Sequence, residues 1–462
     1  MKHDSRSAEI SAHLRAAARG RPAGHRLPSS RELAAAFGAS PVTVARAITE
    51  VVADGTAYTE PGRGTFVAAR GAHHAADYSW QAVPLGRARV DAARASRLGA
   101  YGEASDLPLS WGYLAAELQP RQVLQSSASR VVKRAQAWDM APPTGIPELR
   151  RVFAAEAGTD PEDVIVMPGG QLAISFVFRT LGTPGGPLLI ESPSYPGAII
   201  AAQAAGLEPV AVPCDGEGIM LDLLEECLIR TGARLLYLQP TYANPTGVTT
   251  SPARRAGILA LARAHGAFIV EDDWARHLGL EGSTPAPLFS EDPDGHVITI
   301  TSLSKPAAPS LRVGAILARG PAGARLRAAR LADDMCVPRI LQETALELVT
   351  SPQWRGHLKR LRTALISRRD TLRAEVARHL PGASIAAVPL GGLHLWVRLP
   401  GSVDETALTE SAGRAGLLVG NGAHFFVDEA PAPFIRLSFG SASEPQIREG
   451  LARLGGLLPR QN

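Results

Sequence analysis

The 462-residue sequence predicts a multidomain fold: a small three-helix unit with a two-stranded wing, then a larger α/β body around a mostly parallel, buried sheet. Three observations predict it. Helical patterns punctuated by serine and glycine fill the first 70 residues. Beyond about residue 85, alanine- and arginine-rich helical stretches alternate with short continuous apolar runs. The charge is also divided. Residues 1–70 hold 10 Lys/Arg against 6 Asp/Glu, whereas the rest of the chain carries 38 of each.

The N-terminal surplus points to nucleic acid as the partner of the first unit, with a neutral body behind it. Hydrophobic content of 45% and charged content of 20% are those of a folded chain, not a disordered one. No apolar run reaches membrane-spanning length, and Met1-Lys2-His3-Asp4-Ser5-Arg6 has no signal-peptide core, so a cytoplasmic location is expected. Cys214, Cys227 and Cys336 are widely spaced without a CxxC pair; they read as buried small hydrophobes, with no disulfide framework and no metal site.

In the first unit, Ile10, Leu14 and Ala17 recur at helical spacing, and Gly20 follows, which predicts a helix over about 5–19. Serine ahead of Arg31-Glu32-Leu33 caps a second helix running to Phe37. Gly38-Ala39-Ser40 makes a turn, Ser40 caps a third helix, and Pro41 suits its first position. Val42, Val44, Ala45, Ile48 and Val52 are expected to face the core, leaving Thr43 and Arg46 at the front. A short helix after a glycine turn has the geometry of a recognition helix in the major groove. Tyr58 to Val67 predicts two strands around Gly62-Arg63-Gly64, a wing. A small helical interaction domain is the bland alternative.

Residues 71–84 are polar without a sustained period and read as a linker, with His73 and His74 solvated and not metal-bound. In the body, β-type runs occur at Val164–Met167, Pro187–Ile190, Leu235–Leu238, Ala267–Val270 and Val297–Ile300. Ligand residues are expected just past such strand ends. Gly169-Gly170-Gln171 opens a helix and bares N–H groups to a phosphate. Tyr195 can present its ring to a flat heterocycle. Asn244 can donate to a phenolate oxygen, and Asp272 can pair with a pyridine nitrogen. Lys305 lies in Thr301-Ser302-Leu303-Ser304-Lys305, with Arg312 seven positions on. Its amine can form a Schiff base with pyridoxal 5'-phosphate (PLP), while hydroxyls and arginine hold the phosphate. Taken singly, each carboxylate or amide suits a helix cap or a surface charge equally well. Five in series behind β runs do not.

Two resemblances emerge from these segments. Arg26-Leu27-Pro28-Ser29, Arg31-Glu32-Leu33-Ala34, Thr43-Val44 and Gly62-Arg63-Gly64-Thr65-Phe66-Val67 resemble the winged helix-turn-helix of the GntR family. That likeness implies DNA contacts by Arg31, Thr43, Arg46, Arg63 and Gly64. Asn244-Pro245-Thr246-Gly247 and the Ser-x-x-Lys context of Lys305 are similar to fold-type I PLP-dependent aminotransferases over about residues 85–462. The spacings agree, with 28 residues from Asn244 to Asp272 and 33 from Asp272 to Lys305. This implies Lys305 as the Schiff-base lysine, Asp272 at the pyridine nitrogen, Asn244 at the ring oxygen and Tyr195 stacked on the ring. It also implies a phosphate site of Gly170, Gln171, Ser302 and Arg312, and a carboxylate clamp at Arg436 in Phe434-Ile435-Arg436-Leu437-Ser438-Phe439.

Reader first and aminotransferase-like body second is the order of the MocR subfamily of transcription regulators. It implies residues 1–70 as reader, 71–84 as linker and 85–462 as body, the large part about 144–335 and the small part about 85–143 plus 336–462. A homodimer on a double-stranded operator is implied too, with PLP, an amino acid or an amine as effector. The chain departs from the pattern at Trp274, where tyrosine is expected after Glu271-Asp272-Asp273, and an indole cannot exchange a proton at the ring oxygen. Pro41 stands where a polar or basic residue is usual, and Pro142-Pro143-Thr144 lacks an expected tyrosine. Three readings remain: a PLP-binding regulator, a working aminotransferase with an accessory reader, and a regulator whose pocket is purely structural.

Overall fold

The computed structural model describes residues 2–69, 78–85, 88–98, 103 and 105–458. The chain divides into two compact units, Met1–Arg87 and Ala88–Asn462. Residues 71–77 of the expected linker, His73 and His74 among them, lie outside the described residues; within the rest, Ser79–Gln81 and Ala82–Leu85 form short helical turns.

The first unit packs α1 (Lys2–Ala18), α2 (Ser30–Phe37) and α3 (Pro41–Ala53) against a hairpin of β1 (Ala57–Glu60) and β2 (Gly64–Val67). Ser29 and Glu32 form a reciprocal capping box at the start of α2: Glu32 N–H donates to Ser29 Oγ at 3.3 Å, and Ser29 N–H to Glu32 Oε2 at 2.7 Å. Gly38 ends α2 in the left-handed region at φ 55°, and Ser40 Oγ then caps α3 by accepting from Thr43 N–H. The buried face of α3 is Val44, Ala47, Ile48 and Val51. That periodicity corrects the expected set, because Val42 is 79% exposed and Ala45 is exposed as well. With successive residues ~100° apart on a helix, Val42 falls on the face opposite Val44 and Val51.

The body is built on an eight-stranded sheet. Its strands are β3 (Val164–Met167), β4 (Pro187–Ser192), β5 (Glu208–Asp215), β6 (Gly218–Ile219), β7 (Leu235–Leu238), β8 (Phe268–Asp273), β9 (Val297–Ser302) and β10 (Gly314–Leu317). Their spatial order is β3-β10-β9-β8-β7-β4-β5-β6. Neighbours from β9 through β5 run parallel, while β10 is antiparallel to both β9 and β3, and β6 to β5. Strands such as β3 and β7 are buried at every position, as continuous apolar runs require when helices cover both faces. The five expected strands are present. The antiparallel β10 was not expected, because Gly314-Ala315-Ile316-Leu317 is short and opens on a glycine. A second, four-stranded sheet has the order β11 (Ser384–Ile385), β12 (His394–Arg398), β14 (Phe434–Ser438) and β13 (Gly420–Asn421). The helix Pro352–His379 packs along the helix Glu444–Gly456 beside it, through a core that includes Leu365, Leu372, Ile447 and Leu451. Among the cysteines, Cys227 is buried, whereas Cys214 and Cys336 are half-buried, and all three are free thiols. No helix among the described residues is long and apolar enough to cross a membrane.

Candidate functional site

Strand register assembles the body site. Ser302 at the end of β9 pairs with Gly314 of β10, and Gly314 pairs with Met167 at the end of β3. Three strand ends therefore bring together Ser302, Arg312 and the turn Pro168-Gly169-Gly170-Gln171, which opens the helix Gly170–Leu181. Arg312 takes a left-handed backbone at φ 50° and donates from its guanidinium to Pro168 O at 2.8 Å. A β-carbon on Gly169 would sit 2.9 Å from the Arg312 Cζ and displace that guanidinium, and the φ of 87° favours glycine there. The N–H groups of this helix start, the Arg312 guanidinium, Ser302 Oγ and Ser304 Oγ, which is buried without a partner among the described residues, form one cradle of donors. The Gln171 side chain is engaged elsewhere, donating to Gly197 O at 2.9 Å, which leaves its backbone N–H as the contribution to the cradle.

Asp272 was expected just past a strand and lies within one, beside Ile300 in the β8–β9 pairing. It is 4% exposed and accepts from Tyr237 Oη and Gln239 Nε2, each at 2.7 Å. Burial raises its carboxyl to about 6, against the pull of those two donors and of Lys305. A buried carboxylate held by two neutral donors, with no guanidinium or ammonium bonded to it among the described residues, suits a cationic ring nitrogen. Gln239 also accepts from Asn244 N–H through Oε1, at 2.9 Å, so one amide fixes both Asp272 and Asn244. Neither Tyr237 nor Gln239 was identified from sequence. Gln239 directly follows a β run, which is a usable signal, but Tyr237 inside an apolar strand carries none.

Lys305 Nζ donates to Gly112 O at 2.7 Å and lies 3.7 Å from the centre of the Tyr113 ring. Burial lowers its amine to about 7, reinforced by Arg436 and Arg312 and opposed by Asp272. An amine that is largely neutral just above pH 7 is a nucleophile under ordinary conditions. Arg436 donates to Asn244 Oδ1 at 2.9 Å and to Ser110 O at 2.5 Å, while its Nε is buried without a partner among the described residues. Burial lowers this guanidinium to about 10, and it meets no carboxylate among the described residues. A buried guanidinium of this kind suits an anionic ligand group. The Tyr195 phenol is pushed up by burial and stays protonated. The Trp274 indole donates to Tyr242 O at 3.1 Å and stacks on His394.

All ten body residues singled out from sequence line one cavity of about 340 Å³. They are Lys305, Asp272, Asn244, Tyr195, Gly170, Gln171, Ser302, Arg312, Trp274 and Arg436. Ser304, one of the hydroxyls ahead of Lys305, lines it too, as do Ser110, Tyr113 and His394, which were not expected there. The donor cradle, the buried carboxylate and the low-pKa lysine fit a flat, phosphorylated aldehyde such as PLP.

In the first unit, Arg31, Arg46 and Arg63 are exposed. Arg63 pairs with Glu60 and lies over the Phe66 ring, and Gly64 takes φ 126° beside the Arg26 guanidinium. Thr43 departs from expectation. It is only 9% exposed, and its hydroxyl bonds Ser40 Oγ at 2.9 Å, because it sits one position from Val44 at the edge of the core face.

Residues 113–454 match the family model for aminotransferase class I and II, and residues 7–67 match that for bacterial regulatory proteins of the gntR family. The chain is 28% identical to the uncharacterized HTH-type transcriptional regulator YdfD of Bacillus subtilis, over 94% of this chain and 92% of that one. It is 29% identical to the HTH-type transcriptional regulator TauR of Rhodobacter capsulatus, over 94% and 92% respectively. Among solved structures it resembles the α-aminoadipate aminotransferase LysN from Thermus thermophilus, complexed with N-(5'-phosphopyridoxyl)-L-leucine. There the TM-score is 0.74 and the identity 30%, covering 80% of this chain and 95% of that one.

Proposed function

We propose a regulatory function from one premise: the chain belongs to the aminotransferase class I and II family over its body and joins to it a gntR-family regulator unit. The module order is that of the MocR type. The chain is a DNA-binding transcription regulator whose cofactor is PLP and whose body senses PLP, an amino acid or an amine. The observation that carries this reading is the joining, in one chain, of a winged unit with exposed arginines to a cofactor cradle.

Bound in the cavity, PLP supplies an aldehyde for Lys305 and an electron-withdrawing ring. Asp272 would keep a proton on the ring nitrogen, Asn244 would donate to the ring oxygen, and Tyr195 would lie against the ring. The Gly170 and Gln171 N–H groups, Ser302 and Arg312 would take the phosphate, and Arg436 would take a ligand carboxylate. Trp274, whose only polar hydrogen is spent on Tyr242 O, supplies shape and no proton. In the reader, Arg31, Arg46, Arg63 and the Gly64 backbone would meet DNA, while Thr43 would hold the start of the recognition helix. A homodimer on a two-fold operator completes the reading. Exposed Trp138 and Met140, at 71% and 69%, give the body an apolar surface of the kind such an interface covers. The division into residues 1–70, 71–84 and 85–462, with a large and a small part in the body, belongs to the same proposal.

The test is spectroscopic. Full-length protein given PLP should acquire a visible band that Lys305→Ala removes, and it should retard DNA from its own upstream region. A colourless protein after PLP addition would overturn the cofactor role. A second reading, a working aminotransferase, is favoured by Lys305, Asp272 and Arg436 lining one cavity. Steady turnover of an amino donor with an α-keto acid at rates of ~1–10³ s⁻¹ would favour it.

A further inference from the structure

His394 opens β12 and is 4% exposed, yet its Nδ1 has no hydrogen-bond partner among the described residues. Its ring is fixed. It stacks on Trp274 with centroids 5.7 Å apart and planes 20° apart, and the indole is itself anchored to Tyr242 O. His394 lines the cavity, and its Nε2–Cε1 edge lies beside Gly112, which lines it too. A β-carbon placed on Gly112 would lie 3.5 Å from His394 Nε2, 3.5 Å from its Cε1 and 3.5 Å from Lys305 Nζ, so imidazole and amine converge on one glycine. Sheet register adds Arg436. His394 pairs with Ser438 and Trp396 with Arg436, which puts His394 and Arg436 on one sheet face as diagonal neighbours.

The charged and titratable groups around His394 are Arg436 from β14, Lys305 from the segment after β9 with Asp272 beyond it, and Tyr113 over the lysine. Burial, Arg436 and Lys305 all hold the imidazole well below its usual range, so it is neutral. A neutral imidazole carries one hydrogen. An orphaned N–H is the rarer and costlier defect in a protein interior, so the unpartnered Nδ1 keeps the lone pair and Nε2 keeps the hydrogen. Arg436 and Lys305 donate to the carbonyls of Ser110 and Gly112, whereas the Nδ1 of His394 has no hydrogen-bond partner among the described residues. One wall of the cavity thus offers an ammonium or amine, a guanidinium and a neutral N–H donor together.

We propose that His394 is a specificity-determining residue whose Nε2–H donates to the ligand carboxylate that Arg436 receives, so that the ligand is an α-amino acid and not the corresponding amine. This rests on the PLP-binding reading above. Trp274 then acts as the plate that holds the imidazole in place.

The experiment uses PLP-loaded full-length protein and follows the visible band as ligand is added. Two matched pairs serve as probes, L-alanine with ethylamine and L-norleucine with pentylamine, which differ only in the carboxylate. His394→Phe keeps an aromatic stack on Trp274 and removes the N–H; it should weaken the amino acids about tenfold and leave the amines within about twofold, as expected for one hydrogen bond to a charged group. His394→Gln, which retains a donor near the Nε2 position, should keep most of the amino-acid affinity and guards against a mere packing effect. Equal weakening of both members of a pair, or of neither, would overturn the proposal. So would a His394→Phe protein whose ligand-free band shifts while its amino-acid affinity is unchanged, because the donor would then serve the cofactor. Loaded protein that binds amine and amino acid alike sinks this proposal and spares the cofactor reading; protein that never acquires the band sinks both.

Discussion

The two units use charge in opposite ways. In the reader, Arg31, Arg46 and Arg63 are exposed on α2, on α3 and in the wing, with Arg63 paired to the neighbouring Glu60. In the body, Lys305, Asp272 and Arg436 are withdrawn from water, and burial heads the causes of every one of their shifts. Exposed cations suit a polyanion met from solution, where binding comes from counterion release and fades with salt. Desolvated groups suit a small ligand whose own charges replace water, and salt screens them little. The difference teaches where each function is vulnerable: the reader through its surface charges, the body through any change in a closed set of partners.

That contrast predicts effects of graded size. The largest is Lys305→Ala, which should abolish the visible band while leaving DNA retardation by the reader intact; concurrent loss of both would mean that the units do not work separately. Next, raising salt from 50 to 200 mM should weaken operator binding by ~10³-fold or more if six or more phosphates are contacted, while changing amino-acid affinity of the loaded body only slightly. Parallel salt curves for the two ligands would erase the comparison. Arg46→Ala should cost ~1–3 kcal/mol of operator binding if it reads a base, and less with a shallower salt slope if it holds a phosphate.

Other effects probe the interior. Glu191 is 5% exposed, and burial raises its carboxyl to about 8, opposed by the Gln239 N–H and helped by the negative charge of Asp272. A carboxyl raised in the folded state stabilises below its unfolded pKa, and that contribution is lost as pH rises through the folded value. Stability should therefore fall from pH 5 to 8 and level off above it on this account, by up to ~1.4 kcal/mol per unit. Glu191→Gln, which keeps an acceptor for Gln239 N–H, should flatten that part of the denaturation profile. Smallest is Thr43→Val, which removes the hydroxyl bond to Ser40 and should lower reader stability by ~1 kcal/mol without changing which operator bases matter.

Local order was legible in the sequence. Capping serines, the Gly38 turn and the wing glycines marked the reader's elements, and five apolar runs marked the strands that carry Ser302, Asp272 and the turn before Gln171. A β run followed by polar residues marks a strand's carboxyl end in the sequence itself, which makes Asn244 and Lys305 legible, and Asp272 to within the last residues of its strand. Contacts set by long-range register were not legible. Tyr237 supports Asp272 from inside an apolar strand, Ser110 and Gly112 reach the cavity from about 190 to 330 residues away, and His394 comes from another sheet. Thr43 and Val42 were misplaced for a different reason: one turn of a short helix shifts the core face, and only packing against Ile10 and Leu33 decides it.

The central claim is that one chain couples a cofactor-loaded ligand site to an operator reader. It is tested most directly by measuring the affinity of the full-length protein for its own upstream DNA at fixed salt, with and without PLP plus an amino acid that perturbs the band. A shift of at least severalfold that disappears in Lys305→Ala is the predicted result. An affinity and footprint identical in all conditions, from protein that visibly holds the cofactor, would contradict the account.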